Sequence, residues 1–269
     1  MLLPNSLGWM EGVDAKLARA GEHVTTLEQA IADYTASTAR NREIILKLNP
    51  DETVVSLMTW SKDPYPPPIR LSAIVGDCLF NVRAALDNLV CGLVRRQTPT
   101  DDCEYRSFPI LTSAAKWKDS SGGLRGVDAD ARKVIKGCQP FNRPPASIEI
   151  DPLNILNVLR NRDTHRAALL TSGYSANTEF LIHTNDGRLL HVKSDRPMFG
   201  EDWQSIPLLI QPAIVRDGAR VESKGRAVLA FRDEGPWRDR NVIDVVETCL
   251  RYVRDDVVRR FTRFFVSHS

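Results

Sequence analysis

The stretch "LRNRDTHRAALL" sets Arg160, Asn161, Arg162, Asp163, His165 and Arg166 close together on one expected helix. Its flanks, "NILNVL" and "AALL", are apolar, so a solvated helix face does not explain so compact a polar block. The residue types define a chemistry. An imidazole titrates near neutrality and can take or give a proton. A guanidinium keeps its charge and grips a phosphate through two parallel hydrogen bonds. Neither group needs a metal. The block is therefore a candidate site, with Arg160, Asn161 and His165 within it, and no metal or cofactor is expected there.

Such a block needs a polar partner, and one other helix offers it. "IRLSAIVGDCLFNVRAALDNLVCGLVRR" carries Leu71, Val75, Cys78, Val82, Leu86, Leu89 and Leu93 on one stripe, with Ile74, Val90 and Val94 widening it. A helix apolar nearly all round is central in its domain. Inside it lie Asp77, Asn81, Arg83, Asp87 and Asn88. A buried charge must be paired and hydrogen-bonded, and Arg83 and Asp87, four apart, can meet on one face. The two helices are expected to pack through facing polar stripes, with Asp77, Asn81, Arg83, Asp87, Asp163 and Arg166 as the supporting network. The same pattern also has a purely structural reading, a satisfied polar core that fixes helix register.

The elements that must position these residues follow from periodicity and turn signals. From Met10 to Leu48 apolar residues recur every three or four positions, predicting one long helix or two stacked ones, stopped by Asn49-Pro50. "ETVVSLMTWS" reads as a strand and "KDPYPPP" as an extended connector. Residues 98–147 are loop-rich around "SFPIL" and a short helix, "DADARKVIKGCQPF". Asp151-Pro152 opens the motif helix, Asp as N-cap and Pro as first helical residue, and that helix is expected to end near Ser172-Gly173. "TEFLIHT", "RLLHVKS", "PLLIQPAIVR" and "ARVESKGRAVLAF" read as four strands with Asn-Asp-Gly and Asp-Gly hairpin turns. A helix from Val242 to Val266 closes the chain. The expected fold is a single α+β domain over 1–269: a bundle of four or more helices in 10–172, an antiparallel meander of four to five strands in 174–232, and a helix in 240–266.

Two resemblances bear on function. "GDCLFNVRAALDN", "SFPIL", "IKGCQPF" and "PLNILNVLRNRDTHRAAL" occur in that order. They resemble an uncharacterised bacterial family built on G-D-x-L-x-N-x-R-x-A-L-D, F-P-I, Q-P-[FY] and N-x-D-K-H-R, with Thr164 here at the Lys position and Asn88 where His is common. That resemblance implies no particular activity. It groups Asn161, Asp163, His165 and Arg166, and would let Asp163 and Arg166 pair with Arg83 and Asp87. Arg160-Asn161-x-x-x-His165 also resembles the R-x(4–6)-H motif of the HEPN superfamily, helical-bundle proteins that include metal-independent ribonucleases. This implies that Arg160 stabilises phosphate charge while His165 moves a proton or orients the ribose 2′-hydroxyl. RNA becomes the candidate partner, and a homodimer through the helices the implied assembly. The alternative is a non-enzymatic interaction or sensor protein in which the same residues form a buried network.

Composition narrows the rest. With 42% hydrophobic and 26% charged residues the chain is globular, and a net charge of +2 demands no nucleic acid by itself. Five cysteines without C-x-x-C read as free thiols in a reducing compartment, and no zinc site is expected. His183 and His191, flanking the Asn-Asp-Gly turn, make a poor metal site without further ligands. "SSGGLRG" reads as a loop rather than a phosphate cradle. No apolar run approaches the about 20 residues of a bilayer span, and the first residues do not read as a signal peptide, so the expected location is the cytoplasm.

Overall fold

The computed structural model describes residues 7–38, 42–61, 67–98, 103–165, 170–174, 178–194, 198–199, 206–208, 219–223, 227–232 and 235–265. In chain order the elements are α1 (Leu7–Thr38), β1 (Arg42–Leu48), β2 (Val55–Ser61), α2 (Ile69–Gln97), α3 (Ala129–Gly137), α4 (Pro145–Ile148), α5 (Pro152–His165), β3 (Leu170–Tyr174), β4 (Glu179–His183), β5 (Leu189–Lys193), β6 (Met198–Phe199), β7 (Ile206–Leu208), β8 (Arg220–Ser223), β9 (Ala227–Phe231) and α6 (Val242–Arg251). The fold is α+β. The last helix continues with wider turns over Tyr252–Val257 and tighter ones to Phe264.

α2 organises the helical layer. Leu71, Val75, Cys78, Leu79, Val82, Ala85, Leu86, Leu89, Val90, Leu93 and Val94 are all buried, which covers nearly every face of the helix. α1 lies along it through Val13, Leu17, Ala20, Val24, Leu27, Ile31 and Tyr34, the stripe that its periodicity predicts. α5, α6 and the C-terminal turns close the other sides with Leu153, Leu156, Val246, Val253 and Phe261. The helix starts follow local chemistry. Asp128 accepts from the N–H groups of Asp130 and Ala131 at the start of α3. Asp151 accepts from Leu153 N–H at 2.9 Å, and Asn241 caps α6 by accepting from Ile243 N–H at 2.9 Å. Asp151 is itself buried and paired with the Arg143 Nε at 2.9 Å, which ties α5 to the loop before it.

Among the described residues the strands form three small antiparallel sheets of three strands each, in the orders β1-β2-β7, β6-β3-β9 and β5-β4-β8. The sequence pattern led instead to one meander of four to five strands. The first and third sheets share an apolar layer of Val55, Leu57, Phe180, Ile182 and Leu208, separate from the helical core. The second sheet packs on the helices through Leu229 and Phe231.

Three expectations are corrected here. The long N-terminal helix ends by Thr38, and Arg42–Leu48 is a strand. There Ile44, Leu46 and Leu48 alternate toward the apolar layer, a period of two rather than of three to four. Asn49 does not stop a helix. Its Oδ1 accepts from the N–H groups of Thr53 and Val54 at 2.7 and 2.8 Å, which closes the β1–β2 hairpin. Next, β3 begins at Leu170, inside the expected motif helix, and pairs with β9. Finally, "ARVESKGRAVLAF" is two strands in different sheets. β8 alternates in exposure beside β4, whereas Leu229, Ala230 and Phe231 of β9 are all buried. Most of "PLLIQPAIVR" lies outside the described residues; its first two residues, Pro207 and Leu208, fall in β7.

No described helix is long and apolar enough to cross a membrane. The cysteines are not all free. Cys91, half-buried on α2, is bonded to Cys103, with a Cα–Cα distance of 5.4 Å, and this pins the start of the 103–111 segment to the helix. Cys78, Cys138 and Cys249 are free and buried. Alkylation of denatured, unreduced protein is therefore expected to label three of the five thiols, and all five after reduction, read by intact mass. Five labels without reduction would refute the bond.

Candidate functional site

α5 runs antiparallel to α2, as two observations on its last turns establish. The Asp163 carboxylate sits directly on the backbone of Gly76, near the start of α2: a Cβ on Gly76 would overlap both carboxylate oxygens and lie 2.6 Å from Cγ. One turn earlier, Arg160 stands close enough to Arg83 and Asp87, farther along α2, to shift the ionisation of both. Gly within a helix costs about 1 kcal/mol relative to Ala, so a glycine inside the strongest helix needs a packing reason. Asp163 supplies it. The G-D and N-x-D segments are thus in direct contact. Burial, then the like charge of Asp77, push the Asp163 carboxyl above the usual carboxylate range, and Arg160 pulls it partly back.

Arg83 and Asp87 do pair, with Nη2 to Oδ1 at 3.0 Å. Their further partner is not α5. Arg83 Nη2 donates to the Phe108 carbonyl oxygen at 2.6 Å, and Phe108 N–H donates to Asp87 Oδ1 at 2.9 Å. The pair therefore closes on the backbone of "SFPIL", whose Phe108 is fully buried. Burial lowers the Arg83 pKa and raises that of Asp87, each partner's charge opposing the shift. The same segment is held from the other side by the buried Gln139, whose Oε1 accepts from Leu111 N–H at 3.0 Å while its Nε2 donates to the Ile135 carbonyl at 3.0 Å. Pairing of Asp163 with Arg83 is thereby corrected: Asp163 reaches Gly76, and Arg83 and Asp87 find their partners in each other and in Phe108, with Arg83 Nη1 left without one among the described residues.

The second stripe on α2 does not face α5 as a unit. Asp77 is exposed rather than buried. Asn81 is buried and donates to the Asp77 carbonyl in its own helix at 2.8 Å. Asn88 donates to the Gly12 carbonyl of α1 at 3.3 Å. The stripe thus divides between solvent, its own helix and α1.

On α5, Arg160 is half-buried and Asn161 exposed, and Arg160 Nη1 donates to Asn161 Oδ1 at 3.4 Å. Arg162 turns away from both. Its guanidinium lies over the Trp237 ring, 5.1 Å from the centroid. Trp237 is buried, and Gly235 (φ +142°) gives it room, since a Cβ there would strike the indole. The side chain of His165, and Arg166 entirely, lie outside the described residues. Sequence reasoning missed the Gly76, Phe108 and Trp237 contacts. The glycine inside an apolar helix was the one available signal.

Other nucleophiles and ligands are less suited. Burial pushes the Cys78 and Cys249 thiols up to about 12, and raises Cys138 as well, so none is a thiolate at neutral pH. His183 and His191 fall on one outer sheet face, with Glu222 3.5 Å from His183. Among the described residues no three potential metal ligands come together.

The contact between Gly76 and Asp163 predicts a reversal of sign. Gly76→Ala is expected to lower stability by about 1–3 kcal/mol through overpacking. In an Asp163→Ala background it should instead raise it by up to about 1 kcal/mol, the helix gain alone. Urea unfolding of the four proteins measures this, and additive effects would refute the contact. A raised carboxyl favours its protonated form in the fold, so its contribution to stability is full below the unfolded pKa and is lost as pH rises through the folded one. Asp163→Asn should therefore remove part of the fall in stability between mildly acidic and neutral pH. Identical pH profiles of unfolding in the two proteins would exclude this.

Comparison with protein-family models, with curated proteins and with solved structures finds no match for this chain.

Proposed function

We propose that the protein is a HEPN-like, metal-independent ribonuclease or RNA-binding protein, with Arg160, Asn161 and His165 at its centre. The observation that supports this reading is the place of Arg160 on α5, partly exposed and hydrogen-bonded to the exposed Asn161 beside it. A guanidinium so placed holds the phosphate oxygens. His165 moves the proton as the ribose 2′-oxygen attacks phosphorus and the 5′-oxygen leaves. A homodimer through the helices and a cytoplasmic location belong to this reading, although a reducing compartment would open the Cys91–Cys103 bond.

A second reading, an interaction or sensor protein with a structural polar network, is favoured by the packing of Asp163 on Gly76. RNA cleavage in EDTA distinguishes the two. His165→Ala and Arg160→Ala are expected to lower the rate by about 100-fold or more with an unchanged melting temperature. Equal cleavage by wild type and His165→Ala sinks the ribonuclease. No cleavage by either, with His165→Ala less stable by about 1–3 kcal/mol, supports the structural network.

A further inference from the structure

A second concave site lies away from these residues. Between the helical turns Ala114–Trp117 and Asp119–Leu124 on one side and α3 on the other is a cleft of about 360 Å³. Its walls include Trp117, Lys118, Leu124, Arg132, Lys133 and Lys136. That is the volume of a small-molecule site, and its chemistry is two-sided. Leu124 is buried and Trp117 half-buried, the indole held in a T-shaped pair with Phe141, centroids 6.3 Å apart. The other four residues are cations, and no described residue of the lining is acidic.

Two described carboxylates on α3 and its cap, Asp128 and Asp130, do little to neutralise them. Asp128 is occupied in capping α3. Asp130 pairs with Lys133 at 2.8 Å, but both side chains are exposed and the pair is weak and exchangeable. Arg132 is tethered by its Nε, which donates to the Val127 carbonyl at 2.9 Å, and its outer nitrogens make no hydrogen bond among the described residues. Cations against apolar walls focus their field into the cleft.

We propose that this cleft binds a nucleotide, its planar base against Trp117 and Leu124 and its phosphate among Lys118, Arg132 and Lys136. A free mononucleotide and one nucleotide unit of an RNA strand offer the same chemistry. The site is built from other elements than Arg160 and His165, and the proposal does not rest on the ribonuclease reading.

The test is calorimetric titration of the full chain with AMP, ADP, inorganic phosphate and a short single-stranded RNA. A nucleotide should bind more tightly than phosphate, and Trp117→Leu should weaken nucleotide by about tenfold, the worth of one stacked base, while leaving phosphate unchanged. Lys118→Glu with Lys136→Glu, two exposed side chains, should weaken every ligand with an unchanged melting temperature. RNA binding that responds to these variants, without mononucleotide binding, identifies the strand as the source. Phosphate binding as tightly as nucleotide, affinities unmoved by the charge reversals, or no binding of mononucleotide and RNA alike would overturn the proposal. The readout is binding, so a protein that cleaves no RNA can still pass it.

Discussion

A helix enclosed on most sides must find partners for the polar groups it carries, and that constraint on α2 governs the structure around it. Asn81 is buried and Arg83 largely so, while the Asp87 side chain is 34% exposed. Each unmade hydrogen bond at a buried group costs about 1–3 kcal/mol, and among the described residues Arg83 Nη1 stays without a partner. For most of the rest the chain answers with backbone. Phe108 offers its carbonyl to Arg83 and its N–H to Asp87. Gly12 offers a carbonyl to Asn88, and Asn81 turns back on its own helix. The segment that answers Arg83 must then be held in place. Gln139, fully buried, does so through Leu111. The sequence blocks around Asp87, Phe108 and Gln139 are distant in the chain and adjacent in space for this reason.

Much of this was legible where one physical signal dominated. The three-to-four periodicity of α1 and α2, the Asp-Pro start of α5 and the hairpin turn at Asn185-Asp186-Gly187 each read correctly, because burial and capping leave strong local marks. The misread segments are those where two signals competed. Ile44, Leu46 and Leu48 fit a strand as well as the tail of a helix, and only pairing with β2 decides between them. β9 is apolar on both faces because helices cover it, so its boundary with β8 carries no alternation to show it.

For the candidate site, the sequence showed which helices meet but not which atoms. Facing polar stripes suggested charge pairing across the crossing. A carboxylate resting on a glycine uses the absence of a side chain, and residue types alone do not show an absence being used. Gly76 could be recognised only as a residue out of place in its helix. The structural consequence is that Asp163 approaches the α2 backbone more closely than any residue with a Cβ at position 76 would allow.

The α2–α5 crossing combines two kinds of contact. Near Arg83 and Asp87, which pair with each other and with the backbone of Phe108, stands Arg160, partly exposed and next to the exposed Asn161. One turn on, Asp163 is close-packed on Gly76 yet beside the exposed Asp77. The packing of Asp163 on Gly76 fixes α5 in register on α2, and any work done by Arg160 and Asn161 would need their helix so fixed.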